Sequence, residues 1–159
     1  MKSMIRTLVT IFMALFACSV TADPAAVFAR KLAQAESGNL EAQYDVAYRY
    51  EKGRGTDEDE DLAFSWYLKA AEQGLDTAQY KVGVCYLDGT GVDPDQKQAL
   101  AWLEKSARQG YPPAQFHLGK LYAYDLGEYG KAINWLEQAK ASGYEPATRE
   151  IYRVKKKIN

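Results

Sequence analysis

Residues 78–92 read AQYKVGVCYLDGTGV, and the chain repeats this phrase at a fixed interval. A copy, AQYDVAYRYEKGRGT, begins at residue 42, and a shorter copy, AQFHLGKLY, begins at residue 114. The intervals are 78 − 42 = 36 and 114 − 78 = 36 residues. A period of this length is typical of helical solenoids, because their units bury apolar faces only by stacking on one another. The spacing therefore predicts an all-α protein, an α-solenoid of antiparallel helix pairs.

Each copy is followed by a turn and by a second apolar pattern with helical spacing. In the first two units the turn contains Gly-x-Gly, at residues 53–55 and 89–91. Trp102 follows Trp66 by 36 residues, but Trp135 follows Trp102 by 33, so the third unit has a shortened turn. These landmarks divide the chain beyond residue 22 into a capping half-repeat at 23–38, units at 39–76, 77–112 and 113–145, and a capping helix at 146–159.

The last helix is expected to run from Thr148 to Ile158, after Pro146. Three apolar residues of this helix are predicted to seal the end of the stack: Ile151, Tyr152 and Val154. The lysines at residues 155–157 are expected to face water, where they oppose the helix dipole.

Residues 1–22 have the composition of a secretory signal peptide. Lys2 and Arg6 give a positive start, residues 7–17 (TLVTIFMALFA) form a short apolar run, and residues 20–22 (VTA) suit a signal peptidase. A permanent membrane-spanning helix needs about 20 apolar residues, more than this run contains. We therefore expect export to the bacterial periplasm, with Asp23 as the first residue of the mature chain.

An alternative is open for the same segment. Residues 15–18 (LFAC) resemble a bacterial lipobox, in which Cys18 would be lipidated and would anchor the protein to the envelope. Contact with a membrane is expected only in that case. Removal of residues 1–22 leaves Cys85 as the remaining cysteine, which excludes an intramolecular disulfide and favours a small buried side chain.

Charge argues against nucleic acid and metal ions as partners. The formal net charge is −1, and removal of Lys2 and Arg6 leaves 18 basic against 21 acidic residues, or −3. That balance provides no basic surface for nucleic acid. Residues 57–61 are all acidic, but they directly precede an apolar helical pattern, where acids cap and stabilise a helix start. They also lack the alternation of a calcium loop.

The recurring residues resemble the Sel1-like repeat (SLR) family, a relative of tetratricopeptide repeats. A small residue and a tyrosine recur in the first helix of each unit, and a tryptophan recurs in the second. We interpret nine such residues as the structural repeat core: Ala47, Tyr50, Trp66, Gly83, Tyr86, Trp102, Gly119, Tyr122 and Trp135. The small residues would let the two helices of a unit approach closely, and the tryptophans would fill the space between units. The resemblance also implies a right-handed superhelix.

The resemblance further implies that a protein partner binds the concave face, which the first helix of each unit lines. The candidate residues on that face are Tyr44, Tyr48, Tyr80, Val84, Phe116, Lys120 and Tyr124. Tyr44, Tyr80 and Phe116 lie 36 residues apart and are expected to form an aromatic column, which suits a binding hot spot. Alternatively, these rings only pack against neighbouring helices.

Three functions are compatible with these features of the sequence. The first is a periplasmic scaffold or adaptor, expected to be a monomer. The second is an immunity protein that neutralises a secreted antibacterial effector such as a lipase, as some exported SLR proteins do. The third is β-lactam hydrolysis, linked to family members with a cysteine pair in every unit, which Cys85 alone does not match.

The sequence contains no catalytic signature that would favour the third function, β-lactam hydrolysis. The single histidine, His117, lies beside the predicted inner face, where a polar contact is expected. The sequence has no Gly-x-Ser-x-Gly elbow and no His/Cys cluster with zinc spacing. We therefore predict a non-enzymatic protein without a cofactor.

Overall fold

The computed structural model describes residues 23–158, which form eight helices and no strand. The helices are α1 (Pro24–Glu36), α2 (Leu40–Lys52), α3 (Glu60–Glu72), α4 (Asp76–Asp88), α5 (Gln96–Arg108), α6 (Pro112–Tyr124), α7 (Tyr129–Ala141) and α8 (Glu145–Ile158). None of these eight combines the length and apolarity that a membrane-spanning helix needs. The predicted signal peptide and the lipidation alternative at Cys18 lie outside the described residues.

Caps and glycines set the helix boundaries. Four side chains accept hydrogen bonds from main-chain N–H groups at helix starts: Asp23, Asn39, Asp59 and Asp95. Asp59, which lies in the acidic run at residues 57–61, thus caps the start of α3. Gly53 and Gly89 end α2 and α4 with φ values of 60° and 75°, which other residues rarely adopt.

Each helix packs against the next one along the whole row, and α6 also contacts α8. Three antiparallel hairpins, α2–α3, α4–α5 and α6–α7, therefore stack between α1 and α8. This arrangement confirms the α-solenoid predicted from the 36-residue period. Two clusters of buried side chains form the core, one around α1–α4 and one around α5–α8.

Helix α1 packs as the second helix of a unit does. The rings of Phe28 and Tyr50 meet edge to face with their centres 5.2 Å apart. Phe64 and Tyr86 form the same contact at 5.4 Å, and each residue lies 36 positions after its counterpart. Such edge-to-face pairs stabilise helix contacts beyond the area they bury. Helix α1 therefore covers α2 in the way that α3 covers α4.

The glycines in the first helices permit close helix approach within a unit. A Cβ atom on Gly83 would lie 2.8 Å from Cγ of Leu103, and one on Gly119 would lie 2.6 Å from Cγ of Leu136. Both leucines are fully buried. In the first unit the same position holds Ala47, which is also fully buried. The two helices of each hairpin therefore touch where the small residue lies.

The tryptophans are buried less deeply than the residue that follows each of them, and Trp102 of the second unit packs against the core cluster of the first. Trp66 is buried, but Trp102 and Trp135 are only half-buried. Lysine ammonium groups cover two of the rings, with Lys69 Nζ 3.8 Å from the ring centre of Trp66 and Lys105 Nζ 3.5 Å from that of Trp102. The residue directly after each tryptophan is fully buried instead: Tyr67, Leu103 and Leu136. The tryptophans thus pack at the edge of the core.

A ladder of buried glutamines joins the units. Gln43 and Gln79, from successive copies of the repeated phrase, donate to carbonyl oxygens of the preceding helix. Their own amide oxygens accept hydrogen bonds from Gln73 and Gln109, at 2.6 and 2.8 Å. Gln115 makes the same donation, but its Oε1 is buried without a partner among the described residues. In the third unit the position of Gln109 corresponds to residue 142, which lies 33 positions later because of the shortened turn. This residue is a serine, so it has no side-chain amide to donate to Gln115.

Replacing Ser142 with glutamine is expected to stabilise the protein by about 1 kcal/mol, because it supplies the missing donor to Gln115. The backbone permits this change, since φ and ψ are −82° and 9° at Ser142 and −78° and −3° at Gln109. Urea denaturation measures the difference. Ser142→Ala is the control and should give no gain; equal stability of Ser142→Gln and Ser142→Ala would contradict the ladder.

Helix α8 differs from the prediction in two ways. It begins at Glu145 rather than Thr148, because Pro146 lies in the first turn, where no main-chain N–H is needed. Ile151 and Val154 are buried as predicted, but Tyr152 is 71% exposed. Tyr152 follows Gly119 by 33 residues, so its large side chain occupies the position where a following helix would need a small one.

Candidate protein-binding site

The three predicted column residues lie on the first helices α2, α4 and α6 and are half-buried. The Tyr44 ring packs against Tyr67, with the ring centres 5.2 Å apart. Tyr80 packs against Tyr111 at 5.4 Å, and Phe116 packs against Tyr144 at 5.3 Å. His117 contacts both Tyr80 and Phe116, at 5.3 and 5.9 Å between ring centres. We call this set the inner strip: Tyr44, Tyr80, Tyr111, Phe116, His117 and Tyr144.

Burial favours the uncharged forms of Tyr80 and His117 in the inner strip. Burial, with smaller contributions from Tyr111 and Tyr144, raises the pKa of Tyr80 to about 12. Burial lowers the pKa of His117, and the nearby Lys120 lowers it further. The Tyr80 hydroxyl and His117 Nε2 lie 3.5 Å apart, a polar contact of the kind predicted for this histidine. The strip therefore presents apolar ring surface with neutral polar groups.

Three other predicted residues lie around the strip. Lys120 is exposed and has its Nζ 5.8 Å from the ring centre of Phe116. Tyr48 is half-buried beneath the guanidinium of Arg54, which lies 5.1 Å from the ring centre. Val84 lines a cavity described below. Lys120 thus lies against a ring of the strip, Tyr48 lies against Arg54, and Val84, one turn after Tyr80 on the same helix, lines the cavity.

Tyr124 links two helices. Its hydroxyl donates a hydrogen bond to the buried carboxylate of Glu150 in α8. Arg153 binds the second oxygen of this carboxylate at 3.0 Å, and Lys157 lies 5.0 Å from the Tyr124 ring centre. These contacts join α6 to α8, so Tyr124 stabilises the packing of the last helix.

A polar network lies between the first and second units. The Tyr67 hydroxyl donates to Glu51 Oε2 at 2.6 Å, and Lys81 Nζ donates to both Glu51 oxygens at 2.8 and 3.2 Å. Lys52 Nζ lies 2.9 Å from Glu51 Oε1. Burial alone would raise the pKa of Glu51, but the hydrogen bonds from Lys81, Tyr67 and Lys52 outweigh it and lower the pKa to about 2.

This network predicts a pH-dependent stability. Because the pKa of Glu51 falls from its usual 4.5 to about 2 on folding, its contribution is complete above pH 4.5 and is lost as the pH falls towards 2. We expect the stability difference between the native protein and Glu51→Gln to shrink over that range, as measured by thermal unfolding. Glu72→Gln removes an exposed carboxylate and is the control variant. A stability difference between the native protein and Glu51→Gln that stays constant over this pH range would contradict the network.

The described residues contain neither an activated thiol nor a metal centre. Burial raises the pKa of the Cys85 thiol to about 11, so the thiolate that reacts or binds metal is not formed near neutral pH. Among residues 23–158, no group of three His, Cys, Asp or Glu side chains is arranged to hold a metal ion.

Comparison with known proteins identifies the repeat. Three successive segments, residues 40–75, 76–111 and 112–144, match the Sel1 repeat. The chain belongs to the Sel1 repeat family. The SLR fold of this family typically serves as a non-catalytic scaffold for protein–protein interaction. A comparison with curated protein sequences gave no significant match.

Solved structures of Sel1 repeat proteins resemble the chain. A protective antigen of uropathogenic Escherichia coli with an SLR fold is 28% identical, with a TM-score of 0.81 over 85% of this chain and 30% of the antigen. A Sel1 repeat protein from Oxalobacter formigenes is 35% identical, with a TM-score of 0.68 over 71% of this chain and 47% of that protein. An immunity protein from Pseudomonas aeruginosa is 25% identical, with a TM-score of 0.59 over 83% of this chain and 51% of that protein. The chain thus spans about half or less of each relative.

Sequence reasoning missed Tyr111, Tyr144 and the Glu51 network. Tyr111 and Tyr144 each follow the glycine that ends a unit, Gly110 and Gly143, so the repeat itself could have placed them beside the column. The network gave no such signal, because the chain has no second copy of it.

Proposed function

We propose that the chain is an exported, periplasmic interaction module that binds a protein partner on its concave face through the inner strip. The observation that carries the proposal is the mutual packing of five residues of the strip: Tyr80, Tyr111, Phe116, His117 and Tyr144. Tyr80, Phe116 and their neighbours already hold one another in place, so a partner would order few side chains on binding. Rigid aromatic side chains with a polar group are typical of binding hot spots.

The test compares the native protein with Tyr44→Ala/Tyr80→Ala/Phe116→Ala. Proteins captured from envelope extract are identified by mass spectrometry, and the affinity of the purified partner is then measured. We expect the triple variant to bind at least tenfold more weakly while its helical circular dichroism is retained. Tyr152→Ala removes an exposed ring from α8 and is the control for which binding should not change. Unchanged affinity of the triple variant would refute the inner strip as the site.

Export is tested separately. The mass of the mature protein recovered from a periplasmic fraction should correspond to a chain that begins at Asp23. Recovery of a chain that begins at a lipid-modified Cys18 would mean that the protein is anchored to the envelope rather than soluble in the periplasm. Recovery of the full chain from the cytoplasm would refute export.

A second candidate is an immunity protein that neutralises a secreted antibacterial effector such as a lipase. The observation in its favour is the resemblance to the Pseudomonas aeruginosa immunity protein over 83% of the chain. Co-expression with an effector encoded beside this gene should restore growth, and the triple variant should not. Failure of the native protein to protect against that effector would remove this candidate.

A further inference from the structure

A cavity of about 240 Å³ opens between the first two units, where α3 and α4 meet the end of α2. We call it the junction cavity. Its apolar wall is formed by Ala63, Phe64, Val84 and Cys85. Drug-sized ligands occupy cavities of roughly 300–1,000 Å³, so this volume suits a single side chain better than a whole small molecule.

The charge of the junction cavity is unbalanced. Four carboxylates and two ammonium groups line it, which gives −4 + 2 = −2. Both ammonium groups, those of Lys52 and Lys81, are bound to Glu51. The other three carboxylates belong to Glu58, Glu60 and Asp88, which are exposed and form no salt bridge within residues 23–158. The mouth of the cavity is therefore negative.

The repeat itself does not require this charge. A second cavity lies at the corresponding place between the second and third units. The residues that correspond to Glu51, Glu58, Glu60 and Cys85, 36 positions later, are uncharged: Leu87, Pro94, Gln96 and Leu121. One carboxylate lines this second cavity, that of Asp125, and its counterpart in the preceding unit is Gly89. The acids at the junction cavity are thus a feature of this one junction rather than of the fold.

We infer that the junction cavity takes an arginine side chain of the protein partner. The aliphatic stem would lie against the apolar wall, and the planar guanidinium would donate hydrogen bonds to the carboxylates of Glu58, Glu60 and Asp88. Val84 is on α4, the helix that also carries Tyr80 of the inner strip, so one polypeptide can reach both surfaces. The inference rests on the proposed function, because the arginine belongs to the partner that the strip holds.

The test uses two peptides, acetyl-Gly-Arg-Gly-amide and its counterpart with citrulline, which has the same shape but no charge. Each peptide is titrated into the purified protein while amide NMR signals are followed. We expect saturable shifts at Phe64 and Val84, none at Leu121, and binding of the citrulline peptide at least tenfold weaker. Equal binding of both peptides, shifts centred elsewhere, or no shifts in the millimolar range would overturn the inference.

Matched variants separate the cavity from the general charge of the protein. Glu58→Gln/Glu60→Gln/Asp88→Asn should weaken binding of the arginine peptide at least tenfold. The variant Glu36→Gln/Glu41→Gln/Glu72→Gln removes three exposed carboxylates elsewhere and should leave binding within twofold. Equal losses in both variants would show that the net charge, not the cavity, attracts the peptide.

The two proposals fail separately. The inner-strip variant should still bind the arginine peptide with native affinity. If the strip is needed for the partner but the peptide shows no preference for arginine, only the junction cavity is wrong. If the peptide binds as expected but the inner-strip variant captures the partner as well as the native protein does, the proposed site on the concave face is wrong.

Discussion

Replacing Gly91 with alanine is expected to destabilise the protein by roughly 2–5 kcal/mol, the sum of a left-handed backbone penalty and overpacking. Gly91 has a φ of 66°, and a Cβ atom there would lie 2.1 Å from the carbonyl oxygen of Glu60. That oxygen belongs to the first turn of α3 and cannot rotate away as a side chain can. Only separation of the turn from α3 would relieve the clash, and that movement opens the contact between the first two units.

Gly127→Ala provides the matched control for this prediction. Gly127 has a φ of 68°, close to that of Gly91, but a Cβ atom there would meet nothing within 4 Å. We therefore expect only the backbone penalty, about 1–2 kcal/mol. Chemical denaturation of both variants measures the difference, which isolates the contact between units. Equal losses at the two positions would show that the close approach of Gly91 to Glu60 does not matter for stability.

The sequence predicted the role of the second glycine in Gly-x-Gly only in part. Its spacing indicated a turn, and the structure has a turn there. The period could not reveal that this glycine touches the helix 31 positions earlier, as Gly91 touches Glu60 and Gly55 touches Pro24. Local patterns report backbone conformation, whereas this contact depends on how two units stack.

The stacked hairpins were predictable because the three copies agree with one another. The recurring tryptophan of the second helix was predicted to fill the space between units, and no role was predicted for the residue that follows it, which is buried more deeply. The helix rotation that places Leu103 opposite Gly83 follows from the close approach of the two helices, which no single helix pattern specifies.

The two candidate sites also differ in whether the sequence period could reveal them. Tyr44, Tyr80 and Phe116 were found because they recur every 36 residues. The junction cavity was not found, because its charged residues break the period instead of following it. Glu51 and Lys81 are 30 residues apart and have Leu87 and His117 as counterparts in the next unit. Features that a repeat protein has only once require a three-dimensional structure to be seen.

Leu136→Ala is expected to cost about 2–5 kcal/mol, because the side chain is fully buried and its removal leaves a cavity beside Gly119. Gly119→Ala alone is also expected to be destabilising, by about 1–3 kcal/mol, since its Cβ atom would lie 2.6 Å from Cγ of Leu136 and 3.2 Å from the carbonyl oxygen of Ala132.

The double variant tests whether these two residues act as one contact. With Leu136 shortened, the new methyl group at position 119 occupies part of the vacated space, so the two losses should not add. We expect the double variant to be more stable than the sum of the single losses by at least about 0.5 kcal/mol, the coupling typical of residues in contact. Urea denaturation of all four proteins measures this difference. Additive losses would mean that Gly119 and Leu136 do not set the spacing of the hairpin, and that the recurring small residue has another role.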